Sequence, residues 1–76
     1  MAVHVLDTFT LVCPFPLVEA KEAIQQIPVG DELRIDFDCT QATDSLPAWA
    51  AREGYPVTHF DRIGDASWTI TVQKAH

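Results

Sequence analysis

The chain is poor in basic residues, in cysteine and in long apolar runs, and each shortage excludes something. Five Lys and Arg against eleven Asp and Glu leave a net charge of −6 with the histidines neutral. That sign disfavours nucleic acid, whose phosphates reward clustered cations, and favours docking onto basic protein surfaces. Two cysteines, Cys13 and Cys39, are too few for the disulfide framework of a secreted mini-protein. They do not form Cys-x-x-Cys, so a thioredoxin-type pair is not indicated. With His4, His59 and His76 scattered along the chain, no zinc-ligand spacing arises, and neither a metal nor a cofactor is expected. No apolar run reaches the ~18 residues of a membrane span. Met1-Ala2-Val3-His4-Val5 has no basic stretch leading into an apolar one, so no signal peptide is read. The expectation is a cytoplasmic protein whose cysteines are free thiols.

What is present suits one small folded unit. The 76 residues leave room for one core, so residues 1–76 are read as a single domain. An apolar fraction of 47% argues against disorder.

Val3 to Phe9 reads as a first strand, with Val3, Val5 and Asp7 on one face and His4, Leu6 and Thr8 on the other. A helix comes next, from about Pro14 to Ile27, where Leu17, Ala20, Ile24 and Ile27 recur at helical spacing. Pro14 and Pro16 fit its first turn, where backbone N–H groups lack intrahelical partners. Pro28 and Gly30 close it. Leu33 to Cys39 alternates apolar and polar residues as a second strand, and parity puts Cys39 on the face of Leu33, Ile35 and Phe37. A second helix is read over 44–53, with Pro47 in or near its first turn and Gly54 at its end. Val57 to Arg62 and Trp68 to Val72 are read as two further strands, joined at Ile63-Gly64-Asp65. The order β-α-β-α-β-β predicts an α/β (α+β) two-layer sandwich: a four-stranded mixed sheet with both helices on one face.

Cys13 is the chemical candidate because a thiol reacts as its thiolate. It stands where the first helix should be capped, and a helix N-terminus favours an anion by about 0.3–1 kcal/mol, up to ~2 when partly buried. At roughly 1.4 kcal/mol per unit, that lowers a thiol pKa near 8.5 by at most about 1.5 units. Pro14 and Pro16 stiffen the loop that presents the sulfur and donate no N–H. Phe15 and Leu17 keep their amides and are candidates to face a bound persulfide or sulfonate. Lys21, two turns into the helix, lies too far along it to pair with the sulfur and is a candidate for holding an anionic substrate. Phe15, between the prolines, is read as an exposed apolar contact for a partner. The bland alternative is a buried cysteine beside a proline-capped helix.

At these residues the sequence resembles the TusA-like, or SirA-like, family of sulfur carriers. The resemblance runs through Leu6-Asp7, Cys13-Pro14-Phe15-Pro16, Lys21, Gly30-Asp31-Glu32-Leu33 and Asp44 to Pro47, nearly the whole chain. It implies a two-layer sandwich and a cysteine, here Cys13, that accepts sulfane sulfur as a persulfide and passes it on. Phe15, together with Asp36-Phe37-Asp38-Cys39-Thr40-Gln41-Ala42-Thr43, is similar to the YeeD-type branch, whose members accompany a membrane thiosulfate importer. That branch implies attack on thiosulfate by Cys13, with sulfite released or a thiosulfonate adduct retained. A persulfide donor protein is the other implied partner. Thr10, where the family often has glycine, and Cys39, which is not a general family feature, weigh against a tRNA-thiolation role.

Cys39 is read either as a resolving or relay thiol for sulfur on Cys13 or as a small apolar core residue. His59 is taken as a surface histidine, and Asp36 and Asp38 as a solvated stripe offset by Arg34. Trp49 and Trp68 are assigned to packing. Three functions compete: a sulfurtransferase or carrier acting through Cys13, a non-enzymatic cytoplasmic module that regulates a sulfur-compound transporter, and a redox switch closing Cys13 to Cys39.

Overall fold

The computed structural model describes residues 2–9, 11 and 15–76. Along the chain these form β1 (Val3–Asp7), α1 (Phe15–Gln26), β2 (Glu32–Phe37), α2 (Ala42–Glu53), β3 (Val57–Gly64) and β4 (Ser67–Gln73). The sheet order is β1-β2-β4-β3, with β1 parallel to β2 and the other neighbours antiparallel. The expected mixed four-stranded sheet and two helices are all present.

Alternation in β2 decides the faces. Leu33, Ile35 and Phe37 are fully buried and pair with Val72, Ile70 and Trp68 of β4. Ala20, Ile24 and Ile27 from α1, with Leu46, Trp49 and Ala50 from α2, complete the same core. Each large side chain so enclosed contributes roughly 1.5–3 kcal/mol. On β1 the expected parity holds: Val3 and Val5 are exposed, whereas Leu6 packs against the core. Pro16 is also fully buried, so its ring is wedged beneath the first turn of α1.

Several boundaries differ from the sequence reading. β1 stops at Asp7 because the Asp7 carboxylate accepts the Phe9 N–H at 2.9 Å, while Thr8 turns inward. β2 ends at Phe37, since its neighbours supply no partner beyond the Asp7–Asp36 and Trp68–Phe37 pairs. Cys39 therefore lies past the strand. α2 begins at Ala42, so Pro47 is its sixth residue and not in its opening turn. The segment expected to be a plain turn is already wound: Ala42 N–H donates to Cys39 O, Thr43 N–H to Thr40 O, and the Thr43 hydroxyl to Thr40 O at 2.6 Å. β3 runs two residues further than expected, because Gly64 pairs with Ser67 across a turn at Asp65-Ala66. The Arg62 guanidinium donates to the carbonyls of Gly64 and Asp65 and holds that turn.

Asp36 is not a solvated residue. Its Oδ1 accepts from Arg34 Nε at 2.9 Å and from the Thr69 hydroxyl at 2.7 Å, and its side chain is 14% exposed. The threonine on β4 draws it in. At the other end of the sheet, Asp31 gathers the start of the chain, accepting from Ala2 N–H and His4 Nε2. These donors hold its carboxyl below the ordinary 3.8. α1 has no basic residue in its last turn; Lys74, beyond β4, instead brings its ammonium to Ile27 O at 2.9 Å.

Candidate functional site

Both helices start at the end of the sheet where β1 and β2 finish. There the chain leaving β1 is anchored twice to Asp36 O, by the Thr8 N–H at 2.8 Å and the Thr8 hydroxyl at 2.7 Å. Thr8 is completely buried, so the anchor is shielded from water. Leu11 N–H then returns to Thr8 O at 3.2 Å. Cys13 and Pro14 lie outside the described residues, so the readings that rest on them are carried by the sequence. Helix α1 comes immediately after them, starting at Phe15 with no acidic residue in its first turn. Nothing on that turn competes for an anion at the positive end of the helix.

Phe15 is 52% exposed and Val18 42%, which leaves an apolar surface on the first turn of α1, as expected for Phe15. Leu17 is partly buried against the core. At the same end of the sheet, β2 carries an aromatic cluster that the sequence pattern did not reveal. Phe37 stacks on Trp68 (centroids 5.9 Å, 20°) and meets Phe60 at 6.3 Å. Cys39 sits two residues beyond Phe37, half-buried against the same core. It is disulfide-bonded, which corrects the expectation of a free thiol at this position.

Lys21 lies elsewhere. It lines a groove of about 200 Å³ between the helices, with Ile24, Gln25, Trp49, Glu53 and Tyr55. Its helix position places it about 9 Å along the axis from Phe15 at 1.5 Å per residue, away from the opening turn. His76 holds two of the lining residues from outside the groove, stacking on Tyr55 at 4.9 Å and donating from Nε2 to Glu53 O. His59 is exposed on β3, as expected. Trp49 is core and Trp68 packs against it.

A model of the family described as sulfurtransferase TusA matches residues 4–74. The chain belongs to that family. TsuB of Escherichia coli (strain K12), described as a candidate sulfur carrier protein, is 59% identical over 75 residues, covering 99% of this chain and 100% of the relative. YedF of the same strain, with the same description, is 34% identical over 59 residues, covering 78% of this chain and 77% of YedF. The crystal structure of a SirA-like protein from Desulfitobacterium hafniense superposes with a TM-score of 0.80 over the full length of both chains, at 21% identity. That likeness shows the fold. The family supports a sulfurtransferase-type, sulfur-carrying role for this member.

Proposed function

We propose that this TusA-family chain accepts sulfane sulfur from thiosulfate on Cys13 and delivers it to a partner in the cytoplasm. The observation that carries the reading is the position of α1, whose acid-free first turn begins two residues after Cys13. A thiolate there is favoured by the helix dipole, with the amides of Phe15 and Leu17 as donors to the incoming anion. The thiolate attacks the sulfane sulfur of thiosulfate. A new sulfur–sulfur bond forms to Cys13, the old one breaks, and its electron pair leaves with sulfite, so a persulfide anion remains on the protein.

Cys39 is assigned the resolving step. When no partner takes the sulfur, its thiol attacks the inner sulfur of the Cys13 persulfide and closes a Cys13–Cys39 disulfide, and the outer sulfur departs as hydrosulfide with the thiol proton. A dithiol reductant then restores both thiols. The engagement of Cys39 in a disulfide supports a resolving role for it.

The test is intact mass after incubation with thiosulfate under initially reduced conditions. Wild type gains one sulfur atom and then loses it as the disulfide closes, ending two hydrogens lighter than the dithiol; Cys13→Ser gains none, and Cys39→Ser accumulates the adduct while releasing less sulfide. An adduct that survives Cys13→Ser refutes the acceptor assignment, and sulfide release at the wild-type rate by Cys39→Ser refutes the resolving step. A second reading rests on the exposure of Phe15 and Val18 on the first turn of α1: the same face docks on a membrane thiosulfate transporter and regulates it without turnover. It predicts transporter binding undiminished in Cys13→Ser and lost in Phe15→Asp.

A further inference from the structure

The edge of the sheet formed by β3 is independent of the sulfur chemistry, and all eight of its residues are exposed. A long exposed edge offers unpaired backbone groups to another strand. The ladder shows which groups these are. Glu32 N–H bonds to Ala2 O and Asp36 O accepts from Thr8 N–H, so the even residues of β2 face β1. Leu33, Ile35 and Phe37 accordingly bond to their partners on β4. Alternation then turns Thr69, Thr71 and Gln73 toward β3, as the bond from Gln73 N–H to Pro56 O shows. His59 and Asp61 therefore bond inward to β4, while Phe60 and Arg62 present their backbone groups outward. In agreement, Arg62 N–H is met by its neighbour's carboxylate, Asp61 Oδ1, at 2.8 Å, a local cap that strand pairing must displace.

We infer that β3 pairs with β3 of a second copy of this chain, antiparallel about a two-fold axis through Phe60. Outward residues must meet outward residues, which leaves four registers, centred on residues 59, 60, 61 or 62, between bulges that lie at 57–59 and 62–64. Centring on His59 sets two imidazole rings opposite each other and Phe60 opposite Thr58. Centring on Asp61 sets two carboxylates opposite each other, and centring on Arg62 sets two guanidinium groups opposite each other. Centring on Phe60 places His59 of each copy opposite Asp61 of the other, on the helix-free face that carries Thr69 and Thr71. On the opposite face the two Phe60 rings meet over the edge of the Phe37–Trp68 cluster, where each is 43% exposed in the single chain. Aromatic and charge-complementary pairs directly opposite each other each favour such a ladder. The product is an eight-stranded sheet whose two cysteine-bearing ends point in opposite directions, so pairing leaves both open.

A ladder this short buries less than the ~1,200 Å² of a standard interface, so the dimer belongs to the weak, transient class. Sedimentation velocity under reducing conditions, from about 10 μM to about 1 mM, reads it directly. Wild type shifts from monomer to dimer across that range. Phe60→Lys and Asp61→Lys stay monomeric with an unchanged circular dichroism spectrum. The exchanged double variant His59→Asp/Asp61→His regains the wild-type association, because the pairing is reciprocal. Val3→Lys, on the opposite edge, associates as wild type does. A wild-type chain that remains monomeric throughout overturns the inference, as does a dimer indifferent to Phe60→Lys or an exchanged variant no better than Asp61→Lys.

Discussion

Placing a carboxylate in the first turn of α1 should stabilise the protein and slow its reaction with thiosulfate. Val18 is suited to the test because it is exposed and lies in a turn that holds no acid. In Val18→Glu, the favourable interaction with the helix dipole is about 0.3–1 kcal/mol. The same charge stands about 7 Å from an anion bound at the helix start, given the 1.5 Å rise per residue and the length of the side chain. At that distance a unit pair in water costs about 0.6 kcal/mol, and dianionic thiosulfate about 1.2 kcal/mol. Screening reduces this to about 0.9 kcal/mol at 10 mM ionic strength and about 0.5 kcal/mol at 0.15 M. The second-order rate should therefore fall about fivefold in the dilute buffer and about twofold at the higher salt, at 1.36 kcal/mol per decade. Adduct formation followed by intact mass, with urea unfolding of the same samples, measures both effects. Val18→Gln supplies the neutral control and should react at nearly the parental rate. Equal rates for the Glu and Gln variants at low salt would refute the claim that the opening turn of α1 receives the anion.

Three further outcomes concern stability. Leu46→Ala empties a fully buried position beneath α2 and should cost about 2–5 kcal/mol, enough to bring a domain of this size near unfolding at room temperature by denaturant titration. Gly54, at φ 77°, closes α2, and an added Cβ there meets only His76 at 3.8 Å; Gly54→Ala should therefore cost about 1–2 kcal/mol of backbone strain, seen as a lowered thermal midpoint. Because the Asp31 carboxyl is held below 3.8 in the folded chain, mainly by its hydrogen bond with His4, ionised Asp31 stabilises the fold above the unfolded value and loses that contribution as pH falls through the folded one. Asp31→Asn should accordingly be less stable than the parent at pH 6, and the two should converge as pH drops below about 3.8.

The sheet was legible because Leu33 to Phe37 can bury one face only by alternating, and the parity of β1 obeys the same rule. Helix α1 was legible through Ala20, Ile24 and Ile27. Misplaced boundaries share a cause: each is set by a partner distant in sequence or by a side chain turned onto the backbone. The Thr43 hydroxyl starts α2 early, Ser67 lengthens β3, and the short reach of β1 and β4 ends β2 before Cys39. Asp36 was misread for a similar reason, since its ligand Thr69 lies 33 residues away. At the site, the Cys-Pro-x-Pro segment was visible as a local motif. The Phe37–Phe60–Trp68 cluster and the groove around Lys21 were not, because neither has a spacing that sequence periodicity can detect.

The bond from Lys74 to the carbonyl of Ile27 bears on when the protein becomes competent. A helix whose negative pole must wait for a residue 47 positions downstream is not completed while the chain is partly made. Contacts of such separation form late in assembly. The helix expected to activate the sulfur therefore gains its last fastening only after the final strand has joined the sheet, which ties reactivity to the finished fold.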